Sequence, residues 1–124
     1  MTNGRMGFNM LHEESEVEKK LKVRFLPPNK EPFRYYIGRR VEIISSLGVA
    51  RGVYRGTTEQ GQVVLQPHIK ECYYPDKSRR CYETKDPQFI RYEAVTSMTP
   101  LPKNLWNKWA NARRGPENRT NGSS

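Results

Sequence analysis

Two glycines, Gly52 and Gly56, interrupt what is otherwise a β-strand pattern, and they limit the folds open to this chain. They lie in the segment RGVYRGTTEQGQVVLQP (51–67), where a polar turn separates two apolar runs. Glycine weakens a strand interior because it adds backbone entropy and packs nothing, so a pair of glycines indicates a geometric need. A strand that bends sharply around a small barrel has that need. The alternative is an edge strand in which the glycines have no structural role.

Short β-rich runs recur at close spacing along the middle of the chain. Turn residues bound each run, and the sequence PDKS (75–78) indicates a hairpin turn. Five or six short strands at this spacing predict an all-β fold, a small and strongly bent five-stranded barrel. The predicted strands cover 41–44, 49–57, 63–65 (with 71–74 as its continuation beyond Pro67), 80–83, 88–92 and 94–98.

The N-terminal residues follow other patterns. Residues 1–9 show no periodicity and are predicted to be disordered. Residues 10–20 predict a short helix, and apolar residues alternate with charged ones over 21–25 as in a half-buried strand. We therefore treat residues 1–35 as an N-terminal extension that is partly disordered.

After Pro102 the pattern becomes helical. Leu105, Trp106 and Trp109 fall on one helical face, and Gly115 is the expected end of the helix. The tryptophans could contact nucleic-acid bases or a membrane surface, but we expect them to pack on the barrel, because exposed tryptophans are costly. The predicted organisation is a barrel at 36–102 with a hairpin insertion at 68–87, then a basic helix and disordered tail at 103–124.

Charge favours a polyanionic partner. The net charge is +9, from 22 Lys and Arg against 13 Asp and Glu, and residues 103–124 carry five basic groups against one acidic group. Such a balance favours nucleic acid first and an anionic membrane surface second, with a merely solubilising surface as the alternative. No apolar run approaches the roughly 18 residues of a membrane span, and the N-terminus lacks the apolar region of a secretory signal. We expect an intracellular protein, cytoplasmic or nuclear, without membrane contact.

Two segments carry a family resemblance. The stretch YIGRRVEIISSLGVARGVYRGTTEQGQVVLQP (36–67) resembles the first motif of Sm and Sm-like (LSm) proteins, with Gly52, Tyr54 and Gly56 on its glycine–apolar–glycine positions. The stretch FIRYEAVTSMTPLP (89–102) is similar to the second motif. The chain is especially similar to the divergent Sm-like domains of mRNA-decapping and translational-repressor scaffolds. The resemblance implies an Sm-like (SH3-like) barrel in an RNA-associated complex, acting as an adaptor for protein segments or as an oligomer.

The chain departs from the ring-forming members of that family. Where those members carry Asp, an aromatic residue or His, and Asn in the polar loop, this chain has Thr58, Gln60 and Gln62. Gln62 keeps an amide that can contact a base edge, whereas Gln60 offers no ring for stacking. Tyr92 replaces a glycine beside Arg91 and crowds the site. The RNA site in the lumen of a ring is therefore not expected here.

Basic and aromatic residues supply the candidate RNA contacts. Tyr and Arg of the 68–87 hairpin are residue types enriched at binding hot spots and RNA-stacking surfaces, although the tyrosines could instead cover a shallow core. Base contacts are assigned to Gln62, Arg91, Tyr73 and Tyr82. Phosphate contacts are assigned to Arg39, Arg40, Arg51, Arg55, Arg79, Arg80, Arg113 and Arg114.

Catalysis and metal binding find little support in the sequence. The only histidines are His12 and His68, and no catalytic set suggests itself by position. His68, Cys72 and Cys81 are three potential zinc ligands, but structural zinc sites use four ligands at tighter spacing. The two cysteines could form a disulfide across the hairpin in an oxidising compartment, or remain thiols in a reducing one. We expect no enzyme activity, no cofactor and no metal.

The sequence thus predicts a non-catalytic RNA-associated protein that binds RNA or partners of a ribonucleoprotein or mRNA-regulatory complex, with homo-oligomers possible. Two alternatives stay open. One is a protein–protein adaptor without useful RNA affinity, and the other is an SH3-like or OB-like barrel that binds DNA.

Overall fold

A computed structural model describes residues 15–114, and antiparallel β-strands dominate it. The strands are β1 (Arg40–Ser45), β2 (Gly48–Thr57), β3 (Gln62–Tyr73), β4 (Arg79–Thr84), β5 (Gln88–Arg91), β6 (Val95–Pro100) and β7 (Arg113–Arg114). The α-helices are α1 (Glu16–Leu21) and α2 (Lys103–Ala110). Short 3-10 helices cover Pro28–Lys30, Arg34–Tyr36 and Tyr92–Ala94. The prediction of a mostly β fold with a short helix toward each end is confirmed.

The strands form one hydrogen-bonded path in the order β6-β1-β2-β3-β4-β7, and β5 joins it by pairing with β3. β3 uses its edge opposite β2 for two partners. Gln62–Leu65 pairs with β5, and His68–Tyr73 pairs with β4. Across residues 15–114, the outer edges of β5, β6 and β7 have no strand partner. One end of β3 therefore lies in the core region, and the other forms a hairpin with β4.

The two glycines of β2 meet two different geometric needs. The register between β2 and β3 shifts on both sides of Tyr54, between the glycines. A Cβ on Gly52 would lie 2.7 Å from the Leu65 Cβ, so this glycine allows β3 to approach closely. Gly56 has φ +144°, and a Cβ there would lie 2.9 Å from Cδ1 of the Phe25 ring. The predicted geometric requirement is present, and part of it comes from the N-terminal extension covering β2.

The hydrophobic core lies between the inward faces of β1, β2, β3, β5 and β6. In β1 the buried residues alternate with more exposed ones, as a pleated sheet requires, whereas Val63, Val64 and Leu65 of β3 are buried in succession. Burial of each apolar side chain stabilises the fold by roughly 1.5–3 kcal/mol. The core cluster is Val41, Ile43, Tyr54, Val63, Leu65, Ile90 and Met98.

A buried carboxylate attaches the N-terminal extension to this core. Glu31 is 3% exposed and accepts hydrogen bonds from the Thr57 N–H (2.8 Å), the Phe33 N–H (2.7 Å) and the Tyr54 hydroxyl. Burial, and then the hydrogen bond to Glu31, raises the pKa of Tyr54 well above its usual value, so the phenol stays protonated and donates. The carboxylate thus satisfies two backbone donors and the hydroxyl of a core tyrosine.

Two local predictions differ from the structure. Residues 21–25 form no strand, because α1 includes Leu21 and only an isolated bridge joins Phe25 to Thr58. The C-terminal helix ends at Ala110 rather than at Gly115, and Arg113–Arg114 forms β7. The predicted disorder of residues 1–9, and the first part of the predicted helix at 10–20, lie outside the described residues. Neither helix between residues 15 and 114 is long and apolar enough to cross a membrane.

Candidate nucleic-acid interface

The hairpin of β3 and β4 ends in a turn rich in polar and aromatic residues. Tyr73 pairs with Arg79, and the Tyr74 and Ser78 backbones close the turn. Asp76 accepts hydrogen bonds from the Ser78 hydroxyl (2.6 Å) and the Ser78 N–H (2.9 Å), which lower the pKa of its carboxyl. The turn is therefore internally hydrogen-bonded, and its acid is held in the charged form by the turn itself.

β7 adds a row of arginines to the outer edge of this hairpin. Its register places Arg114 opposite Arg79 and Arg113 opposite Arg80, and the Cys81 N–H donates to the Ala112 carbonyl at 2.8 Å. Like charges at directly opposed positions destabilise a sheet. We call these four residues, Arg79, Arg80, Arg113 and Arg114, the arginine ladder.

The hairpin separates two tyrosines that the sequence analysis grouped together. In an antiparallel ladder, directly paired residues share a face and neighbours along a strand alternate. Tyr73 therefore shares a face with Arg79. Tyr73 is 69% exposed, and its ring centroid lies 6.0 Å from the central carbon of the Arg79 guanidinium. Tyr82 is on the other face and half-buried, and its hydroxyl lies 3.6 Å from the Cys72 Sγ. Of these two tyrosines, only Tyr73 has an open ring beside an arginine of the ladder.

The hairpin tip also contains an open groove. Its volume is about 540 Å³. Three of its seven lining residues are arginines, and Asp76 of the turn is the one acidic residue among them. Arg79 forms an ion pair with Glu71 at 2.8 Å, whereas Arg80 and Arg113 form no ion pair within residues 15–114. The lining residues are Tyr74, Pro75, Asp76, Ser78, Arg79, Arg80 and Arg113.

Helix α2 packs against β4 and the outer faces of β1 and β2. Trp106 is 3% exposed, and its indole N–H donates to Glu83 at 3.1 Å. The Arg51 guanidinium lies 3.8 Å from the Trp109 ring centroid. The prediction that the tryptophans pack on the sheet is confirmed, although Leu105 stays exposed.

Several predicted phosphate contacts are already engaged within the protein. Arg51 donates to Glu42 at 2.8 Å in addition to covering Trp109, and Arg55 donates to the Gln66 carbonyl at 2.6 Å. Arg40 lies over the Trp106 ring at 5.6 Å. Arg39 is exposed. These internal contacts use part of the hydrogen-bonding capacity of Arg51 and Arg55, and their assignment to phosphate stays a prediction.

The predicted base-contacting residues fall at opposite ends of β3. Gln62 pairs with Arg91 of β5, and Arg91 lies 3.2 Å from Glu93 in an exposed ion pair. Gln62 and Tyr73 are the first and last residues of β3, on the order of 30 Å apart for an extended strand. The structure thus brings Gln62 and Arg91 together but separates them from the hairpin.

The polar loop between β2 and β3 is covered by the N-terminal extension. Thr58 is buried; its N–H donates to the Gln62 carbonyl, and its hydroxyl accepts from the Gln62 N–H. The Glu59 N–H donates to the Arg24 carbonyl at 2.9 Å. These hydrogen bonds engage the backbone of the loop. Its backbone polar groups are therefore less available to a ligand than those of a loop without such bonds.

The cysteines point to opposite faces of the hairpin. Cys72 pairs with Arg80 and Cys81 pairs with Glu71, so adjacent register positions place the two thiols on different sides. The suggestion of a disulfide across the hairpin is therefore wrong, and both cysteines are free thiols. His68 is buried with Nδ1 2.7 Å from the Asp86 carbonyl oxygen. Between residues 15 and 114, no group of three or more His, Cys, Asp and Glu is arranged to hold a metal.

Sequence reasoning missed two features of the interface: the strand character of Arg113–Arg114 and the contribution of Lys108 to a cavity beside the ladder. The repeated Arg-Arg pair at 79–80 and 113–114 was the available signal, since both pairs follow turn residues. The chain matches no protein-family model, and no curated protein matches it either. What these residues bind is therefore inferred from their own geometry and charge.

Proposed function

We propose that this protein binds single-stranded RNA at the end of the β3–β4 hairpin, as a non-catalytic component of an intracellular RNA-associated complex. The observation that carries the proposal is the arginine ladder, in which backbone pairing sets Arg79 opposite Arg114 and Arg80 opposite Arg113. Opposed cations are unfavourable by themselves, so a bound polyanion that neutralises them stabilises the pairing.

Phosphate contacts at the ladder account for affinity. Arginine forms bidentate hydrogen bonds with phosphate oxygens, and its charge is retained at all physiological pH values. Arg80 and Arg113 are exposed at the rim of the open groove, without a protein ion pair in residues 15–114. Both are therefore available to an RNA backbone that follows the groove.

Tyr73 supplies a surface for a base. Its ring is exposed on the same face as Arg79, so a base stacked on the ring can have its phosphate near Arg79. Strand alternation places Arg80 and its partner Arg113 on the other face of the hairpin. Stacking on an aromatic side chain contributes about 1–3 kcal/mol per base without requiring a particular sequence. Gln62 and Arg91 would form a separate contact at the far end of β3.

The Sm-like resemblance of residues 36–102 supports RNA over DNA as the ligand. We infer that the described strands correspond to an Sm-like, SH3-like barrel, with β4 as an addition to it. The order β6-β1-β2-β3, the pairing of β5 with β3, and the 3-10 helix at Tyr92–Ala94 between β5 and β6 are compatible with that barrel.

The test is the salt dependence of RNA affinity. Phosphate contacts by Arg80 and Arg113 predict a slope of log affinity against log salt of about −1.4, or roughly sevenfold weaker binding between about 50 and 200 mM salt. Fluorescence anisotropy with a labelled RNA of about 12 nucleotides measures it. The double variant Arg80→Gln, Arg113→Gln should reduce the magnitude of the slope by about 1.4.

The matched control is Lys20→Gln with Lys30→Gln, which removes the same charge from exposed positions in the N-terminal extension. It should leave the slope nearly unchanged. Equal slopes for the two double variants would reject the ladder as the binding site. Equal affinity for a DNA strand of the same sequence would reject the preference for RNA.

The second candidate function is a protein–protein adaptor, favoured by an exposed apolar patch on the β1–β2 turn and β5. Leu47 is 82% exposed, with Val49 and Phe89 near it around a cavity of about 180 Å³. The Gln88 side-chain oxygen beside that cavity is buried without a hydrogen-bond partner. Sedimentation of the nuclease-treated protein would test self-association, with Leu47→Asp abolishing it and Ile37→Asp, exposed elsewhere, retaining it.

A further inference from the structure

A second cavity lies beside the arginine ladder, between α2 and β4. Its volume is about 190 Å³, enough for roughly six water molecules. The Cys81 N–H bond to the Ala112 carbonyl ties the segment after α2 to β4 and closes one side of the cavity. Its walls are Arg79, Cys81, Lys108, Trp109, Ala112 and Arg113.

The charge of these walls is one-sided. Three of the six lining residues, Arg79, Lys108 and Arg113, are cationic, and none is acidic. Glu71, which pairs with the wall residue Cys81 in the β3–β4 ladder, forms an ion pair with Arg79, whereas Lys108 and Arg113 have no ion pair within residues 15–114. The nearest acid on the turn, Asp76, already accepts two hydrogen bonds from Ser78. A dianion is therefore the ligand that this wall would attract most strongly.

The other polar groups of the wall do not supply that negative charge. Burial raises the pKa of the Cys81 thiol, so the sulfur stays neutral near pH 7. The Trp109 carbonyl at the end of α2 accepts the N–H groups of Asn111 and Ala112. The indole and the Ala112 methyl make part of the wall apolar, which strengthens charge-assisted hydrogen bonds nearby.

The charge of the cavity walls distinguishes a strand end from a strand interior. An internal phosphodiester carries a single negative charge. A terminal phosphomonoester carries a charge of about −1.5 to −2 at pH 7 and matches the cationic wall better. We infer that the cavity between α2 and β4 binds the terminal phosphomonoester of an RNA strand whose next nucleotides lie on the ladder. The inference rests on the proposed function.

The experiment compares RNAs of one sequence that end in a 5′-phosphate, a 3′-phosphate or hydroxyls only. We expect the protein to bind one phosphorylated end roughly tenfold more tightly than the hydroxyl-ended RNA. The end that shows the gain identifies the polarity of the bound strand. Lys108→Gln should bring the ratio of affinities close to one, because Lys108 contributes to the cavity walls and not to the ladder.

Lys103→Gln is the control, since Lys103 is exposed on the first turn of α2, away from the cavity. It should keep the tenfold ratio. A ratio of one in the unmodified protein, with salt-dependent RNA binding intact, would overturn the cavity assignment and leave the proposed function standing. Absence of RNA binding for every end would reject the proposed function.

A second measurement tests the cavity without RNA. A nucleoside monophosphate should shift the Trp109 indole N–H resonance in a ¹H–¹⁵N titration, and the unphosphorylated nucleoside should not. Lys108→Gln should weaken that response, and Lys103→Gln should retain it. A Trp109 signal that responds equally to the nucleoside would mean base contact rather than phosphate binding and would also overturn the inference.

Discussion

The Arg51 guanidinium lies over the Trp109 ring, with 3.8 Å between its central carbon and the ring centroid, while its Nε donates to Glu42 at 2.8 Å. This contact joins β2 to α2 through a cation–π interaction supported by an ion pair. A desolvated interaction of this kind contributes about 0.5–2 kcal/mol. Helix α2, which borders the proposed phosphate cavity, is therefore held partly by a single arginine.

We predict that Trp109→Leu lowers the free energy of unfolding by about 0.5–2 kcal/mol, because leucine keeps apolar volume but has no ring quadrupole. Urea denaturation followed by circular dichroism measures the change. The double variant Arg51→Gln, Trp109→Leu should cost less than the sum of the two single variants. Strict additivity would show that the two side chains do not interact in solution.

Arg51→Gln should leave the salt slope of RNA binding nearly unchanged, although the sequence pattern assigned this residue to phosphate. Its guanidinium is engaged by Glu42 and Trp109, so it has little capacity left for an external anion. Anisotropy titrations at several salt concentrations, with Arg80→Gln as the comparison, test this. A larger loss of slope for Arg51→Gln than for Arg80→Gln would contradict the assignment of both residues.

Glu31→Gln should lower the free energy of unfolding by at least about 1–3 kcal/mol. The carboxylate accepts hydrogen bonds from the Thr57 N–H, the Phe33 N–H and the Tyr54 hydroxyl. In glutamine an NH₂ group replaces one carboxylate oxygen, so at least one of these donors would meet another donor and lose its hydrogen bond. Glu59→Gln, an exposed change of the same chemistry, is the control and should stay within about 0.5 kcal/mol of the parent. Equal stability of the two variants would contradict the buried role of Glu31.

Gly52→Ala should destabilise the protein by about 1–3 kcal/mol or more through overpacking. The new methyl group would lie 2.7 Å from the Leu65 Cβ and 2.9 Å from the Pro67 carbonyl oxygen, a backbone atom that cannot rotate away. Gly61→Asn is the comparison, because nothing lies within 4 Å of its added Cβ and asparagine tolerates a positive φ. Thermal denaturation of both variants should show a clear loss only for Gly52→Ala.

Cys72 should react with iodoacetamide before Cys81 in the native protein. Cys81 is buried, and burial raises the pKa of its thiol, so less of the reactive thiolate is present at a given pH. Its labelling should accelerate only at a pH above the usual range for a thiol, whereas denaturant should equalise the two sites. Mass spectrometry of peptides after timed labelling reports the order, and faster native labelling of Cys81 would contradict its burial.

The strands were predictable because their signals are local. Runs such as Val41–Ile44 and Val63–Leu65 combine β-branched residues with adjacent turn residues, and the structure has strands at both places. The C-terminal helix was predictable from the spacing of its tryptophans, although its end was not. A helix that stops at Ala110 depends on the pairing of Arg113–Arg114 with β4, which is a tertiary effect.

The site was less predictable because it depends on register. Tyr73 and Tyr82 are equally plausible base contacts by residue type, but the pairing of Tyr73 with Arg79 places them on opposite faces. A shift of one residue in the turn would have placed them together. The burial of Glu31 was not predictable either. A glutamate beside a proline is typical of an exposed loop, and only the tertiary structure shows that Tyr54 lies against it.

The anchoring role of Glu31 and Phe25 also bears on how this protein can be shortened. Both precede residue 36, yet one accepts a hydrogen bond from the Tyr54 hydroxyl and the other covers Gly56. A truncation at residue 36 would remove the residues that cover the middle of β2. The Tyr54 hydroxyl and the Thr57 backbone N–H would then lose Glu31 as their hydrogen-bond acceptor. The smallest fragment worth expressing for crystallography thus begins before Phe25.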